Sequence, residues 1–332
     1  MRIFRGVPTQ ATTASVLTIG NFDGVHRGHR ALLDRLTAKA RALSLPATVL
    51  TFEPHPRQLF APDQAPARLG SLREKLELLA ECGVERVHIV RFTRALAALS
   101  AEQFIQRILR QGLDIRHLII GDDFRFGQGR RGDFALLQRA GTGRHDGIDG
   151  IPFTVEAMPT VDYQGLRVSS SAVRTALAQG DIELAGELLG RAYVIDGRVV
   201  HGDKVGRTLG FPTANIRIKR ARLPLSGVFA VTVSGIAPQP IPGGATKPLP
   251  GVATKPLPGV ANIGVRPTLA DGLKPVLEVH LLDFDRDIYG THVTINFLHK
   301  IRDEKKFASL DALKAQIADD IAATRASFAG KT

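Results

Sequence analysis

The chain has 332 residues and a mass of 35.8 kDa, more than one hydrophobic core usually organises, so two domains are expected. It is 44% hydrophobic and 23% charged, which excludes a disordered, collagenous or coiled-coil protein. Lys and Arg number 44 against 32 Asp and Glu, a formal net charge of +12; such an excess invites nucleic acid, anionic lipid or phosphorylated metabolites without choosing among them.

The lone cysteine, Cys82, can form neither an internal disulfide nor a cysteine-cluster zinc site and reads as a buried filler. No run of about 18 apolar residues occurs, and Met1–Thr13 has arginines but no apolar signal-peptide core. A cytoplasmic protein with no membrane partner is expected.

Residues 1–185 read as strands alternating with helices. Val16–Ile19 is a short apolar run ending at Gly20, and Leu32, Leu33, Leu36, Ala40 and Leu43 then recur at helical spacing. The unit repeats with strand-like Ala47–Phe52, helical Leu72–Glu81, strand-like Val84–Phe92, helical Ala101–Gln111 and strand-like His117–Gly121. This alternation predicts an α/β, Rossmann-like parallel sheet with helices on both faces and ligands outside the carboxyl ends of the strands.

Residues 186–332 change rhythm. Tyr193–His201, Val228–Gly235, Pro275–Phe284 and Tyr289–Phe297 alternate like half-buried antiparallel strands, and Leu310–Phe328 is helical. A small antiparallel β-barrel with a C-terminal helix is expected, and this half carries the larger share of the basic excess. Ala245–Val252 is repeated at once as Ala253–Val260, which reads as a lengthened, solvated loop. Lys219, Arg220 and Arg222 fit no motif and read as a solvated face.

The first strand runs into Gly20-Asn21-Phe22-Asp23-Gly24-Val25-His26-Arg27-Gly28-His29 and then a helix. Glycines allow close backbone approach, a helix start offers unpaired N–H groups, and two nearby histidines can donate to phosphate oxygens. Bare, the pair would serve equally as metal ligands or surface residues. Loops at the same edge carry Pro54 and His55, then Asp123 and Arg125, and a later helix start carries Arg167, Ser170, Ser171 and Arg174. Serines there would by themselves read as helix caps.

Together these strings resemble the nucleotidyltransferase superfamily with its HxGH turn, and more narrowly the FMN adenylyltransferase (FAD synthetase) module of bacterial bifunctional riboflavin kinase/FAD synthetases. The resemblance implies that His26 and His29 stabilise ATP phosphates during adenylyl transfer. It places Gly20, Asn21, Phe22, Asp23, Gly24, Gly28, Pro54, His55, Asp123, Arg125, Arg167, Ser170, Ser171 and Arg174 around the nucleotide and its partner.

The second half opens on a glycine-rich string from Gly197 to Asn215, in which Gly202, Gly206, Gly210, Phe211 and Pro212 lead to Thr213 and Asn215. A glycine-rich turn after a strand can cradle phosphates, and two side-chain oxygens suit magnesium, although such turns are more often structural. With Asn262–Thr268, Leu277–Phe284 and Ile301–Phe307, the string resembles riboflavin kinase. That resemblance implies that Thr213 and Asn215 hold the magnesium bound with ATP, that Glu278 acts on the riboflavin 5′-hydroxyl, and that Asn262 and Arg302 line the site.

The expected activities are therefore conversion of riboflavin and ATP to FMN and ADP in residues 186–332, and of FMN and ATP to FAD and pyrophosphate in residues 1–185. Self-association is expected to be weak at most. One rival is another small-molecule nucleotidyltransferase with an accessory β-domain, which the riboflavin kinase strings argue against. The other is a basic nucleic-acid-binding protein; aromatics are only 6%, with no Trp and 3 Tyr, so no stacking platform supports it.

Overall fold

The computed structural model describes residues 1–143, 150–202, 206, 209–237, 255–268 and 272–329. The chain divides into two compact units, Met1–Pro66 with Leu72–Ser170, and Ala67–Ser71 with Ser171–Thr332.

In the first unit the strands are β1 (Arg2–Arg5), β2 (Ser15–Ile19), β3 (Ala47–Glu53), β4 (Arg86–Arg91), β5 (Ile115–Gly121) and β6 (Thr154–Met158). They form one sheet in the order β1-β4-β3-β2-β5-β6, and every neighbouring pair is parallel; β7 (Asp162–Tyr163) and β8 (Leu166–Arg167) form a separate antiparallel pair. The helices are α1 (Arg27–Ala42), α2 (Pro56–Phe60), α3 (Leu72–Glu81), α4 (Arg94–Ala97), α5 (Ala101–Phe104, running on as a π-helical Ile105–Gly112) and α6 (Phe134–Gly141).

Burial on both faces explains why the central strands read as continuous apolar runs. Leu17, Leu118 and Ile120 pack on one side with Phe104, Ile105, Leu109 and Leu137. Val16, Val49 and Ile119 pack on the other with Leu33, Leu36 and Leu79. Cys82 is only partly buried, against the second cluster. The chain leaves β2 toward β3 and β4, then returns to place β5 on β2's other side. The carboxyl ends of β2 and β5 therefore flank the crevice where such sheets bind ligands.

The second unit contains α8 (Ile182–Leu189) and all but the first residue of α7 (Ser170–Gln179). The strands β9 (Val194–Val200), β10 (Ala214–Arg217), β11 (Gly227–Ser234), β12 (Leu257–Thr268), β13 (Gly272–Leu281) and β14 (His292–Arg302) follow. They close an antiparallel barrel in the order β10-β13-β12-β11-β14-β9. The last helix, α9 (Leu310–Ala329), packs on β11, β12 and β14. Its Ile321 meets Val228, Val260 and Leu282 outside the barrel.

Two expectations are corrected here. The end of the repeated segment is strand, not loop: Leu257–Val260 pairs with Ala230–Val233 of β11, because Gly259 and Val260 fall on buried ladder positions. The first copy, residues 245–252, lies outside the described residues. Arg220 is also no solvated cation; it is buried and donates to the Leu69 carbonyl and the Tyr193 hydroxyl, each at 3.2 Å.

Candidate active sites

The turn after β2 is built around two left-handed residues, Phe22 and Val25, both buried. That conformation is strained for a bulky or β-branched side chain and persists only where packing fixes it. Their burial holds the turn closed and delivers His26 to the N-cap of α1. His26 Nδ1 accepts the His29 backbone N–H at 3.3 Å. With Nδ1 an acceptor, a neutral His26 carries its hydrogen on Nε2 and can donate from there.

The two imidazoles stack with centroids 3.7 Å apart and 17° between planes, and Phe22 lies 5.0 Å from His29 on a tilt. A Cβ on Gly28 would stand 3.3 Å from the His26 ring, so glycine gives that ring its place. Burial, then His26, then Lys75 lower the His29 pKa well below 6.5. His29 is thus a neutral imidazole at pH 7, an uncharged hydrogen-bonding group rather than a cation. Its Nδ1 and the Asn21 Oδ1 are buried and make no hydrogen bond within the chain, as expected of polar atoms that serve a ligand.

The other sequence-predicted residues of this unit take varied places. Ser170 Oγ donates to the Asp23 carbonyl at 2.9 Å, a bond within the first unit. Gly20 and Gly24 flank Phe22 in that turn, Gly24 with φ of 82°. His55 caps α2, its Nδ1 accepting from Arg57 N–H at 3.2 Å directly after Pro54. Arg167 pairs with Asp123 at 3.1 Å, but both are well exposed, so the pair itself stabilises little. Arg125 is exposed and donates to the Phe124 carbonyl at 3.2 Å. Ser171 and Arg174 belong to the second unit, where Arg174 Nε donates to the Ala67 carbonyl at 2.7 Å.

Sequence reasoning missed two features at these strand ends. Lys75 of α3 is buried, with Nζ 3.4 Å from Thr51 Oγ1 and 4.0 Å from Glu53 Oε2; in the sequence it looks like any helix-surface lysine. Phe60 is 63% exposed at the end of α2 and makes an edge contact with Phe92, which meets Phe52 in the same way. An exposed aromatic next to a proline-rich loop was the available signal.

In the barrel, strand register assembles the second site. Asn215 of β10 stands opposite Glu278 of β13, which stands opposite Asn262 of β12. Asn262 in turn is opposite Val228 of β11, and Val228 opposite Arg302 of β14. Directly paired residues share a sheet face, so one row crosses five strands. Leu277, Val279, Ala261 and Ile263, beside these residues in sequence, are buried, which puts the row on the outer face, toward α9. Glu278 thus points outward, away from its buried neighbours Leu277 and Val279 and toward α9.

A cavity of about 380 Å³ lies over this row, walled by Gly206, Phe211, Thr213, Asn215, Asn262, Glu278 and Arg302 together with Ile317 and Ile321 of α9. Gly202, Gly210 and Pro212 do not line it. A Cβ on Gly202 would overlap the Asn215 amide, and one on Gly206 would come within 3.0 Å of Thr213 Oγ1. The Pro212 carbonyl fixes His280 through Nδ1 at 2.8 Å. Residues 203–205 and 207–208 of the glycine-rich string lie outside the described residues.

Thr213 and Asn215 offer neutral oxygen donors held close by two glycines, a set that fits magnesium. Among the described residues no group of three or more His, Cys, Asp and Glu converges on one point, so magnesium here would take its remaining ligands from nucleotide phosphates and water. Arg302 does line the cavity, but Asp320 of α9 holds its guanidinium. Glu304 also lines it; burial raises its pKa and Arg302 opposes the rise. Asp320 was the missed residue with a legible signal: it shares the inner face of α9 with Leu313, Ile317 and Ile321, a charge within an apolar stripe.

Comparisons with known proteins bear on both units. Family profiles match for FAD synthetase over residues 9–172 and for riboflavin kinase over residues 189–328. The chain is 50% identical to the bifunctional riboflavin kinase/FMN adenylyltransferase of Escherichia coli K12, covering 99% of this chain and 98% of that one. It is 44% identical to the protein of that name from Haemophilus influenzae, covering 99% of each. A crystal structure described as a macrolide-efflux protein from Streptococcus pneumoniae superposes with TM-score 0.76 at 28% identity, covering 97% of this chain and 98% of that one. Among the described residues of this chain no helix is long and apolar enough to cross a membrane.

Proposed function

The chain belongs to the bifunctional riboflavin kinase/FMN adenylyltransferase family, and on that premise we propose that the barrel unit phosphorylates riboflavin and the parallel-sheet unit adenylylates the product. Riboflavin and ATP give FMN and ADP in the first step. FMN and ATP give FAD and pyrophosphate in the second. The observation that carries the assignment is the cross-strand row Asn215–Glu278–Asn262 beside Thr213, which gathers from distant sequence positions the groups that phosphoryl transfer to an alcohol needs.

In the barrel, Glu278 orients the riboflavin 5′-hydroxyl and receives its proton as the oxygen attacks the γ-phosphorus of ATP. Thr213 and Asn215 would hold magnesium, which would offset the charge of the nucleotide phosphates. Asn262, next to Glu278, positions the substrate from the adjacent strand.

In the sheet unit, a phosphate oxygen of FMN attacks the α-phosphorus of ATP, the bond to the bridging oxygen breaks, and pyrophosphate leaves with its electron pair. His26 donates from Nε2 and His29 from its neutral ring to phosphate oxygens on which charge builds. No covalent intermediate is needed, and positioning and preorganised donors supply the acceleration. The edge-to-face set Phe52, Phe92 and Phe60 leaves the Phe60 ring exposed near the strand ends, an aromatic surface against which a flavin ring can pack. A cytoplasmic location, where ATP is supplied, is part of this proposal.

Chromatography of the flavins made from riboflavin, ATP and magnesium tests the assignment. Wild type should form FMN and then FAD, His29→Ala should stop at FMN, and Glu278→Gln should make FAD only from supplied FMN. The reverse split between the two variants would refute the division of labour.

A further inference from the structure

The HxGH turn is supported from beneath by a buried cation that no motif contains. Lys75, on α3, is 3% exposed. Its Nζ meets Thr51 Oγ1 at 3.4 Å, and the same oxygen donates to the Asn21 carbonyl at 3.3 Å. Asn21 is the second residue of the histidine turn. Nζ also stands 4.0 Å from Glu53, the residue before the Pro54–His55 loop. One ammonium thus reaches toward both loops that carry candidate nucleotide-binding residues at the ends of β2 and β3.

Removing an ammonium from water is costly, and an isosteric apolar residue is often as stable or more so at such a place. A lysine retained there is best explained by what its charge does. Resting on the reading that this turn performs adenylyl transfer, we propose that Lys75 is a positioning residue for that reaction, holding the Asn21 carbonyl through Thr51 and keeping a fixed positive charge behind His29. The charge helps to keep the His29 ring neutral: burial acts first, His26 second and Lys75 third in lowering its pKa. Other charged and titratable groups on these elements include His26 and Asp23 of the turn, Arg27 and Arg30 of α1, Glu53 of β3, and Arg73 and Glu74 of α3, and a substitution at Lys75 leaves them all in the chain.

The test compares Lys75→Met, which keeps the length of the side chain and removes its charge, with Lys75→Arg, which keeps a charge. The full chain is assayed for FAD formation from FMN and ATP between pH 5 and 9, with riboflavin phosphorylation in the same preparation as the control for folding and concentration. Lys75→Met should lower kcat for FAD formation tenfold or more, leave kinase turnover unchanged, and move the acid limb of the pH profile to higher pH, because His29 then protonates more readily. Lys75→Arg should return the acid limb toward wild type even if kcat recovers only in part. A Lys75→Met enzyme with wild-type kcat and acid limb would overturn the proposal, as would a loss of kcat with an acid limb unmoved in both variants. A wild-type chain that makes no FAD from FMN and ATP would instead refute the assignment of adenylyl transfer itself.

Discussion

Arg302, the last residue of β14, and Asp320, in the middle of α9, meet fork to fork: Nε reaches Oδ1 at 2.8 Å and Nη2 reaches Oδ2 at 2.7 Å. Gln316 adds a third donor to the same carboxylate at 3.0 Å, and Thr324 Oγ1 closes back on the Asp320 carbonyl at 2.8 Å. The pair sits in the wall of the kinase cavity and fastens the helix to the barrel beside Glu278.

Asp320→Asn removes one partner and leaves a guanidinium that is 19% exposed facing a neutral amide. Breaking one side of a largely buried pair costs about 2–4 kcal/mol, somewhat less than for a fully buried one. The kinase unit should melt earlier, and the KM for riboflavin should rise by tenfold or more while FAD formation from supplied FMN is retained. Unchanged melting and KM would mean that α9 is held by its apolar stripe alone.

Gly202 and Gly206 leave the space that Asn215 and Thr213 occupy. Neither has a positive φ, so alanine is tolerated by the backbone and its effect is purely steric. Gly202→Ala should push the Asn215 amide out of its place, raising the magnesium concentration needed for half-maximal kinase activity and lowering kcat at least tenfold. A magnesium titration of both activities checks this, and an unshifted kinase curve would remove Asn215 from the metal site.

His26 has two functions that can be separated. As N-cap it accepts one backbone N–H through Nδ1, and in the proposed reaction it donates through Nε2. Asparagine is a good N-cap residue but has no group at the Nε2 position, whereas alanine supplies neither. His26→Ala should lose about 1 kcal/mol of stability and nearly all FAD formation. His26→Asn should keep the stability and still lack the activity. Near-normal FAD formation by His26→Asn would reduce the residue to a cap.

The layered sheet, the barrel and the C-terminal helix were legible because their periods are strong and their boundaries carry Gly or Pro. Six strands were not, among them β7 and β8, whose two residues each are too short to show a period. β1 is exposed along its whole length and β6 along much of it, so neither shows the alternation that marks a half-buried strand. β10 is only four residues long, and β12 begins in a Pro-Gly string that reads as loop until pairing with β11 buries Val260. The candidate residues stand out as motifs, but their meeting on one row does not, because register joins residues 215, 278 and 262 through pairing that sequence spacing does not encode. Lys75 was missed for the opposite reason: its neighbours in α3 are ordinary, and only the ends of β2 and β3 make it special.

Three histidines of the sheet unit, His29, His88 and His117, have pKa values lowered from 6.5, burial being the first cause for each. The Gly6 carbonyl partly opposes the shift at His88 and Glu156 does so at His117. Above pH 6.5 both folded and unfolded chains hold these rings neutral, and no stability depends on them. As pH falls through 6.5 the unfolded chain takes up protons that the folded one refuses, so stability falls by at most about 1.4 kcal/mol per pH unit for each ring. Denaturation of the sheet unit should show this loss between pH 6.5 and 5, before most carboxylates titrate. His88→Asn should flatten the slope, and an identical slope in that variant would assign the loss to other groups.

The repeated octapeptide gives the last prediction. Either copy ends in Leu-Pro-Gly-Val, but only the second leads into Ala261-Asn262-Ile263-Gly264, and its Leu257–Val260 pairs with β11 in the register that sets Asn262 opposite Glu278. Deleting Ala245–Val252 leaves one intact copy still joined to that string. The ladder and the row across the barrel should then be unchanged, and a shorter connection lowers closure entropy only slightly, about 0.6 kcal/mol per halving of loop length. Kinase kcat and the KM values for riboflavin and ATP should stay within about twofold of wild type. Loss of most kinase turnover on deletion would show that the first copy takes part in catalysis and is not a tolerated insertion.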